Sequence, residues 1–409
     1  MVQVCIFEDN QVKNLYPLTQ TRPVYTLRVG IKDLLGKIKD HLPESSSLTL
    51  HCRESLAEMF PYKLEPKDTL FINGRIIAPN NLRQLLKQTK DHLLSYNEIP
   101  LVAKVSAAAL KKIRIPDTLD IKFFRSLKLK ETKTDIPIAT YYWDLIHANA
   151  AEIKADARQT GLLGKHQSTT TGAHLLHPEQ IFIGENVSMK PGVVLDASDG
   201  PIFIDNQVEL MPNTVVIGPA YIGFKSKIKV GAKIYGGTTI GPVCKVGGEI
   251  EGSIIQGYSN KQHEGFLGHS YLGEWVNLGA GTENSDLKNN YLQVSVIINN
   301  KEIQSQQTFV GCCIGDHTKT GIKTMITTGS VFGCFCNIFG TGYQPKYIPS
   351  FTWNNNDTAE KEAYAYDKAI QTAKAVFARR SSVLSLPQEK IYKKIWQESA
   401  LERKAHKIA

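Results

Sequence analysis

Apolar residues through the middle of the chain recur at a spacing of six: Ile222, Ile228, Ile234, Ile240 and Val246. A helix returns to the same face after about 3.6 residues and a strand after two, so neither accounts for the interval. The spacing predicts a hexapeptide β-helix. One aliphatic side chain in six points inward, small residues such as Ser226, Ala232 and Thr238 follow four places later, and Gly or a polar residue turns the corner. Three such units close a triangular turn, and stacked turns bury a continuous aliphatic column.

The pattern opens near Ile181, is irregular over 196–200 and runs cleanly from Ile222 to Val246. It breaks over 257–268, resumes at Leu272 and Leu278, breaks again over 282–308, and returns at Ile314, Thr320, Ile326, Phe332 and Ile338. Interruptions of a repeat array predict loops extruded from the coil, where binding residues concentrate. A helix over 143–158 and a Ser/Thr/Gly-rich loop at 167–173 lead into the array.

Upstream, apolar runs predict strands at 2–7, 48–51 and 69–72, with helical patterns at 31–38 and 82–86. The alternation suggests βαβ units and a parallel sheet, whose ligands bind beyond the carboxyl ends of the strands. Glu8, Asp9, Asn73 and Arg75 fall on that edge. Downstream, Ala363, Tyr366, Ile370, Ala373 and Phe377 repeat at helical spacing, and a second helix starts near Pro387. Both helices are expected to cover the open end of the solenoid, which otherwise exposes unpaired strand edges. The fold class is therefore an α/β domain over 1–157, a left-handed parallel β-helix over 158–352 and a helical tail over 353–409.

Composition narrows the classes further. The 409 residues, 42% hydrophobic and 21% charged, are ordinary globular material. No apolar run approaches the roughly 18 residues needed to cross a bilayer. Acidic Glu8 and Asp9 stand where a secretory leader would be basic, so a cytoplasmic location is expected. Seven scattered cysteines fit reduced thiols, and those at 312, 313, 334 and 336 lack zinc-ligand spacing and read as packing residues. The net charge of +9 is dispersed and comes with no nucleic-acid-binding motif. A basic surface meeting small phosphorylated substrates accounts for it; neither nucleic acid nor membrane is expected as a partner.

Chemistry concentrates in 259–282, which holds His263, His269, Lys261 and Asn277 inside an otherwise monotonous array. A histidine titrating near neutrality can take a proton from an attacking amine or hydroxyl. Gly279-Ala280-Gly281 permits close backbone approach, with amide N–H groups for a thioester oxygen or a pyrophosphate.

The run Asn260-Lys-Gln-His-Glu-Gly-Phe-Leu-Gly-His-Ser-Tyr-Leu-Gly-Glu-Trp-Val-Asn-Leu-Gly-Ala-Gly-Thr282 resembles the bifunctional enzymes that make UDP-N-acetylglucosamine. These join a UDP-N-acetylglucosamine diphosphorylase domain to a glucosamine-1-phosphate N-acetyltransferase. Further segments, Phe7-Glu-Asp9, 17–30, Phe71-Ile-Asn-Gly-Arg75, 284–291, 315–321 and 345–353, look like the archaeal-like branch also found in Bacteroidetes. The resemblance implies acetyl transfer from acetyl-CoA to glucosamine 1-phosphate, then uridylyl transfer from UTP with Mg2+, by a cytoplasmic homotrimer. It makes His263 the general base and Asn277 the residue that orients the amine or acetyl group. Ala280, with Gly279 and Gly281, would line the acetyl-CoA wall, and Lys288 and Lys261 would contact the sugar phosphate. Phe266 replaces a tyrosine of ordinary members, and Tyr271 is the candidate to supply the missing hydroxyl. His269 and His317 stand in reserve.

The α/β domain departs from ordinary members. Glu8-Asp-Asn-Gln11 stands in place of their Gly-rich triphosphate loop, and Asn73-Gly-Arg75 in place of their magnesium-binding aspartate. Arg22, Arg28, Asn73 and Arg75 are then the expected nucleotide contacts, and no metal ligand is assigned. Two other readings stay open: a sugar-1-phosphate nucleotidyltransferase with a different or silent acyl site, and a non-catalytic hexapeptide scaffold.

Overall fold

Residues 3–79, 81–87, 91–111, 113–169, 171–358 and 361–408 are described by the computed structural model. Two units are present, one formed by Met1–Leu15, Thr21–Leu27 and Lys32–Tyr141, the other by Tyr16–Gln20, Arg28–Ile31 and Tyr142–Ala409.

The second unit is a parallel β-solenoid. Its inward aliphatics stack in columns, and on the first of its three faces Ile183, Ile204, Ile222, Ile240, Ile255, Leu272, Ile314, Phe332 and Ile348 are register partners in successive strands. All nine are buried in one continuous core. Each contributes roughly 1.5–3 kcal/mol relative to an exposed position, and a column of them outweighs the poor β-propensity of the glycine-rich corners. Glycine is compulsory where coils touch: a Cβ on Gly241 would lie 2.1 Å from the Gln256 carbonyl oxygen one coil on.

Coils of 18 residues, as from Ile222 to Ile240, shorten to 15 between Ile240 and Ile255 and lengthen to 17 between Ile255 and Leu272. The break expected over 257–268 is therefore no extruded loop. Strands Asn260–Lys261 and Phe266–Gly268 continue the second and third faces, and only the inward residue has changed, from an aliphatic to Lys261. In the break over 282–308, Glu283–Asn284 still pair in parallel with Met325–Ile326 of the next coil, and the residues after them form a true excursion carrying a hairpin of Ser295–Ile298 with Lys301–Gln304 turned by Asn299 and Asn300, both at positive φ.

A helix, Tyr142–Thr160, lies on the first face, where Asn149 Nδ2 donates to the Gly237 carbonyl at 2.7 Å. The tail forms helices Tyr366–Ala378 and Leu386–Glu398, the second opened by a capping box at Ser385 and Gln388. Contrary to the expected end cap, they pack along the flank: Phe377 stacks on Trp275 at 4.2 Å, and Tyr392 meets His317. The last strand edge, Thr352–Asn355, is covered instead by the antiparallel strand Glu362–Ala363.

In the first unit the three anticipated strands pair in parallel, Gln3–Phe7 between Ser47–Leu50 and Thr69–Asn73; Val2 lies outside the described residues. The sheet is mixed, however. Ile99–Val105 runs antiparallel to Thr69–Asn73 and pairs with His92–Tyr96, a hairpin turned at Asn97 and Glu98 with positive φ. The helix expected over 31–38 starts only at Leu34, because the Asp33 carboxylate caps it on the Gly36 N–H. Among the described residues no helix is long and apolar enough to cross a membrane, and all seven cysteines are buried thiols with no disulfide between them.

Truncating the first-face column at Ile240→Ala should cost about 2–5 kcal/mol of stability through the cavity it opens. Chemical denaturation followed by far-UV circular dichroism checks this, and a midpoint equal to wild type contradicts a continuous packed column.

Candidate active site

Lys261 organises the corner between the second and third faces. It stands in register with Val246, Ile228 and Leu210, the inward aliphatics of the preceding coils. Its stem fills their place, and its ammonium donates to the carbonyls of Gly247 (3.1 Å) and His263 (3.0 Å). Burial pushes its pKa down to about 8, against the pull of Glu264 and Glu283. The expected role as a substrate contact is thus corrected: Lys261 is 2% exposed and anchors the corner turn from within.

His263 projects from that turn into solvent, and among the described residues no hydrogen bond orients its ring. Asn260 bridges Asn277 in the following coil, which sets His263 in register with Ala280. The two turns are tied by the Gly281 N–H on the Glu264 carbonyl at 3.0 Å. Gly279 donates to Thr320 Oγ1 at 3.0 Å, and a Cβ there would strike the Gly321 carbonyl oxygen at 2.3 Å. Of the three amides expected to be open to a ligand, those of Gly279 and Gly281 are therefore spent on coil stacking. Only the Ala280 N–H has no described partner.

His263, Asn277 and Gly279–Gly281 are thus brought together on adjacent coils. Tyr271 and Lys288 are not. Tyr271 is fully buried on the first face, where its hydroxyl accepts from Arg28 N (2.9 Å) and bonds Gln256 Oε1 (2.7 Å), so it cannot replace the hydroxyl missing at Phe266. Lys288 sits in the 282–311 excursion, donating to the Gln293 carbonyl at 2.7 Å.

Of the reserve histidines, His317 is buried between Phe335 and Phe377 with Nε2 3.2 Å from the Tyr392 hydroxyl. His269 is half-buried with Nδ1 2.7 Å from Asp286 Oδ2, beside Phe309 and His147. The 17-residue spacing of His269 and Asp286 equals that of Asn260 and Asn277, one coil, and was the signal that could have paired them.

In the α/β unit the carboxyl edge is closed by its own ion pairs. Arg75 Nε and Nη2 donate to the two Asp9 oxygens at 3.0 and 2.6 Å, and Asn73 Nδ2 adds a third bond at 2.7 Å. Arg53 Nη1 spans both Glu8 oxygens at 2.8 and 2.9 Å. Asn73 and Arg75 are wholly buried, which corrects their expected role as nucleotide contacts. Neither carboxylate fits a divalent cation, since arginine already neutralises each, and among the described residues no cluster of His, Cys, Asp and Glu is arranged for a metal. Arg22 and Arg28 are half-buried; Arg28, in the second unit, donates to the Ile31 carbonyl and lies over the Tyr221 ring. A cavity of about 390 Å³ lies at the opposite end of the strands, against Val4, Leu70 and Lys104.

Fold and corner define a hexapeptide solenoid in a chain that also carries a mixed α/β unit. Residues 4–161 match the family model described as sugar nucleotidyl transferase. A bifunctional sugar-1-phosphate nucleotidylyltransferase/acetyltransferase of Sulfurisphaera tokodaii is 34% identical over 91 residues, 22% of this chain and 23% of that protein. The bifunctional protein GlmU of Methanococcus aeolicus is 31% identical over 229 residues, 55% and 46% of the two chains. The chain spans less than half the length of these curated relatives. Among solved structures, Arabidopsis UDP-N-acetylglucosamine acyltransferase aligns over 57% of this chain and 91% of its own at 15% identity, with a TM-score of 0.21. The chain is thus similar, over part of its length, to bifunctional sugar-1-phosphate nucleotidylyltransferase/acetyltransferases, and its first unit matches the sugar nucleotidyl transferase family.

Two outcomes follow from the buried charges. Arg75→Ala, which strands the Asp9 carboxylate, should destabilise the α/β unit by about 3–5 kcal/mol in denaturant titration; a loss below 1 kcal/mol contradicts a closed pair. For Lys261, the unfolded chain holds the proton between pH 8 and the ordinary lysine range while the folded chain releases it, so its contribution to stability improves as pH rises. Wild type should therefore gain on Lys261→Met between pH 8 and 10; a constant difference would show that the amine titrates normally.

Proposed function

We propose that the solenoid transfers an acetyl group from acetyl-CoA to the amine of glucosamine 1-phosphate. The observation that carries this is the exposed His263 imidazole in register with the Ala280 turn, in a chain similar to a protein named as a bifunctional nucleotidylyltransferase/acetyltransferase. The amine attacks the thioester carbonyl, forming the C–N bond, while His263 accepts the ammonium proton. The oxyanion draws on the Ala280 N–H. The C–S bond then breaks and the imidazolium returns its proton to the departing thiolate.

One chain offers His263 as an open ridge rather than a cleft. Val230, Ile322, Met325 and Tyr343, from 40% to 76% exposed, continue that ridge along the same side of the coil. A second copy covering them would enclose the site and bring its own Lys288 to the sugar phosphate. The assembly is a homotrimer on this reading. Residues 158–352 carry acetyl transfer, 1–157 nucleotide chemistry and 353–409 the flanking tail.

For the α/β unit we propose joining of N-acetylglucosamine 1-phosphate to UTP; the match to the sugar nucleotidyl transferase family supports nucleotidyl transfer to a sugar. Arg22 is its remaining candidate phosphate contact. Because Glu8 and Asp9 are neutralised, magnesium belongs to the incoming nucleotide. Both substrates are cytoplasmic, in keeping with seven reduced thiols.

His263→Ala should lower acetyl transfer by about 10²–10⁴-fold, read as thiol released from acetyl-CoA with glucosamine 1-phosphate. Pyrophosphate release from UTP by the same variant should be unchanged. Near-normal thiol release in the variant removes His263 from the mechanism.

A further inference from the structure

The flank covered by the first tail helix holds a cavity of about 380 Å³, within the range of small-ligand sites. Lys245, Asn260, Asn277 and Lys319 of the second face form its floor, and Arg379 and Arg380, just beyond helix Tyr366–Ala378, reach it from the tail. None of the described residues lining it is Asp or Glu. Four cations are gathered with no anion among them.

Such a cluster costs free energy, and its members show it. Lys245 is pushed down by burial and by Arg380 and Arg379, and burial alone pushes Lys319 down to about 8. The donors are also fixed. Lys319 Nζ is held on the His317 carbonyl at 2.8 Å, and Arg380 Nη2 on Asn260 Oδ1 at 2.7 Å. Asn260 Nδ2 in turn bonds Asn277 Oδ1 at 3.2 Å. Pre-organised cations and carboxamides with no carboxylate match a ligand carrying several acceptor oxygens and more than one negative charge. Tyr258, stacked at 4.6 Å on Trp275, supplies an aromatic wall.

We infer that this cavity is a diphosphate site, built jointly by the solenoid flank and the tail arginines. Its ligand is a nucleoside diphosphate unit, either the ADP end of coenzyme A or a free nucleoside diphosphate. The first source rests on the acetyl-transfer reading, since Gln262 joins the cavity to the His263 turn; the second does not. The tail is then part of a binding site as well as a cover for the coil.

The test is calorimetric binding of coenzyme A, ADP, UDP and pantetheine to the full chain and to Arg379→Gln/Arg380→Gln. Two lost charge-assisted contacts should weaken nucleotide binding by at least about tenfold, with pantetheine unaffected. Binding of coenzyme A and ADP but not UDP identifies the acyl donor; equal binding of ADP and UDP identifies a free nucleotide. Lys245→Gln should reproduce the loss with the fold intact by circular dichroism, and wild-type affinity should fall with added salt. Unaltered nucleotide affinity in both variants, or no nucleotide binding to wild type, overturns the site. His263→Ala should bind coenzyme A normally while failing to transfer acetyl, which separates failure of the cavity from failure of the catalytic reading.

Discussion

Parallel stacking of coils, each delivering one inward side chain per face, is the constraint on which the remaining structure depends. Because strands pair with their counterparts one coil away, anything placed at a corner acquires neighbours 15 to 42 residues distant along the chain. His263 meets the Ala280 turn, His269 meets Asp286, and Lys245, Asn260, Asn277 and Lys319 align for this reason alone. The same closeness makes Gly279 and Gly241 obligatory, because no Cβ fits between adjacent backbones.

Lys261 shows how such a framework accommodates a polar residue at an inward corner position. An aliphatic at that inward position would pack better, yet it could not reach out to fix two carbonyls. The lysine stem fills the column and its amine pins the turn that presents His263. The α/β unit solves a different problem with the same currency of buried charge. Two arginines neutralise two carboxylates at the strand ends and rigidify an edge where a parallel sheet ordinarily receives its ligand.

Much of the fold was legible in the residue pattern, since burial in a coil repeats with chain position. The six-residue interval located the solenoid and the long excursion near 282–308, and the three-and-four spacing located the tail helices. The supposed break at 257–268 misled because inward position and apolar character part company at Lys261. Strands at 92–105 escaped because Asn97-Glu98 is a turn that tolerates positive φ without glycine. In the candidate site, the motif singled out His263, Asn277 and Ala280, and the structure places them on adjacent coils. Tyr271, Arg75 and Asn73 were misjudged because residue type does not reveal which face a side chain takes or what already binds it.

The linear order of residues by itself determined the solenoid, its aliphatic columns and the position of the chemical hot spot, all properties of local spacing. Tertiary structure alone decided which polar groups are spent. Ion pairing closed the α/β edge, coil stacking consumed the Gly279 and Gly281 amides, and the tail returned to the flank to crowd four cations together. Those outcomes depend on partners 17 to more than 100 residues away, a distance over which spacing carries no signal until the coils are stacked.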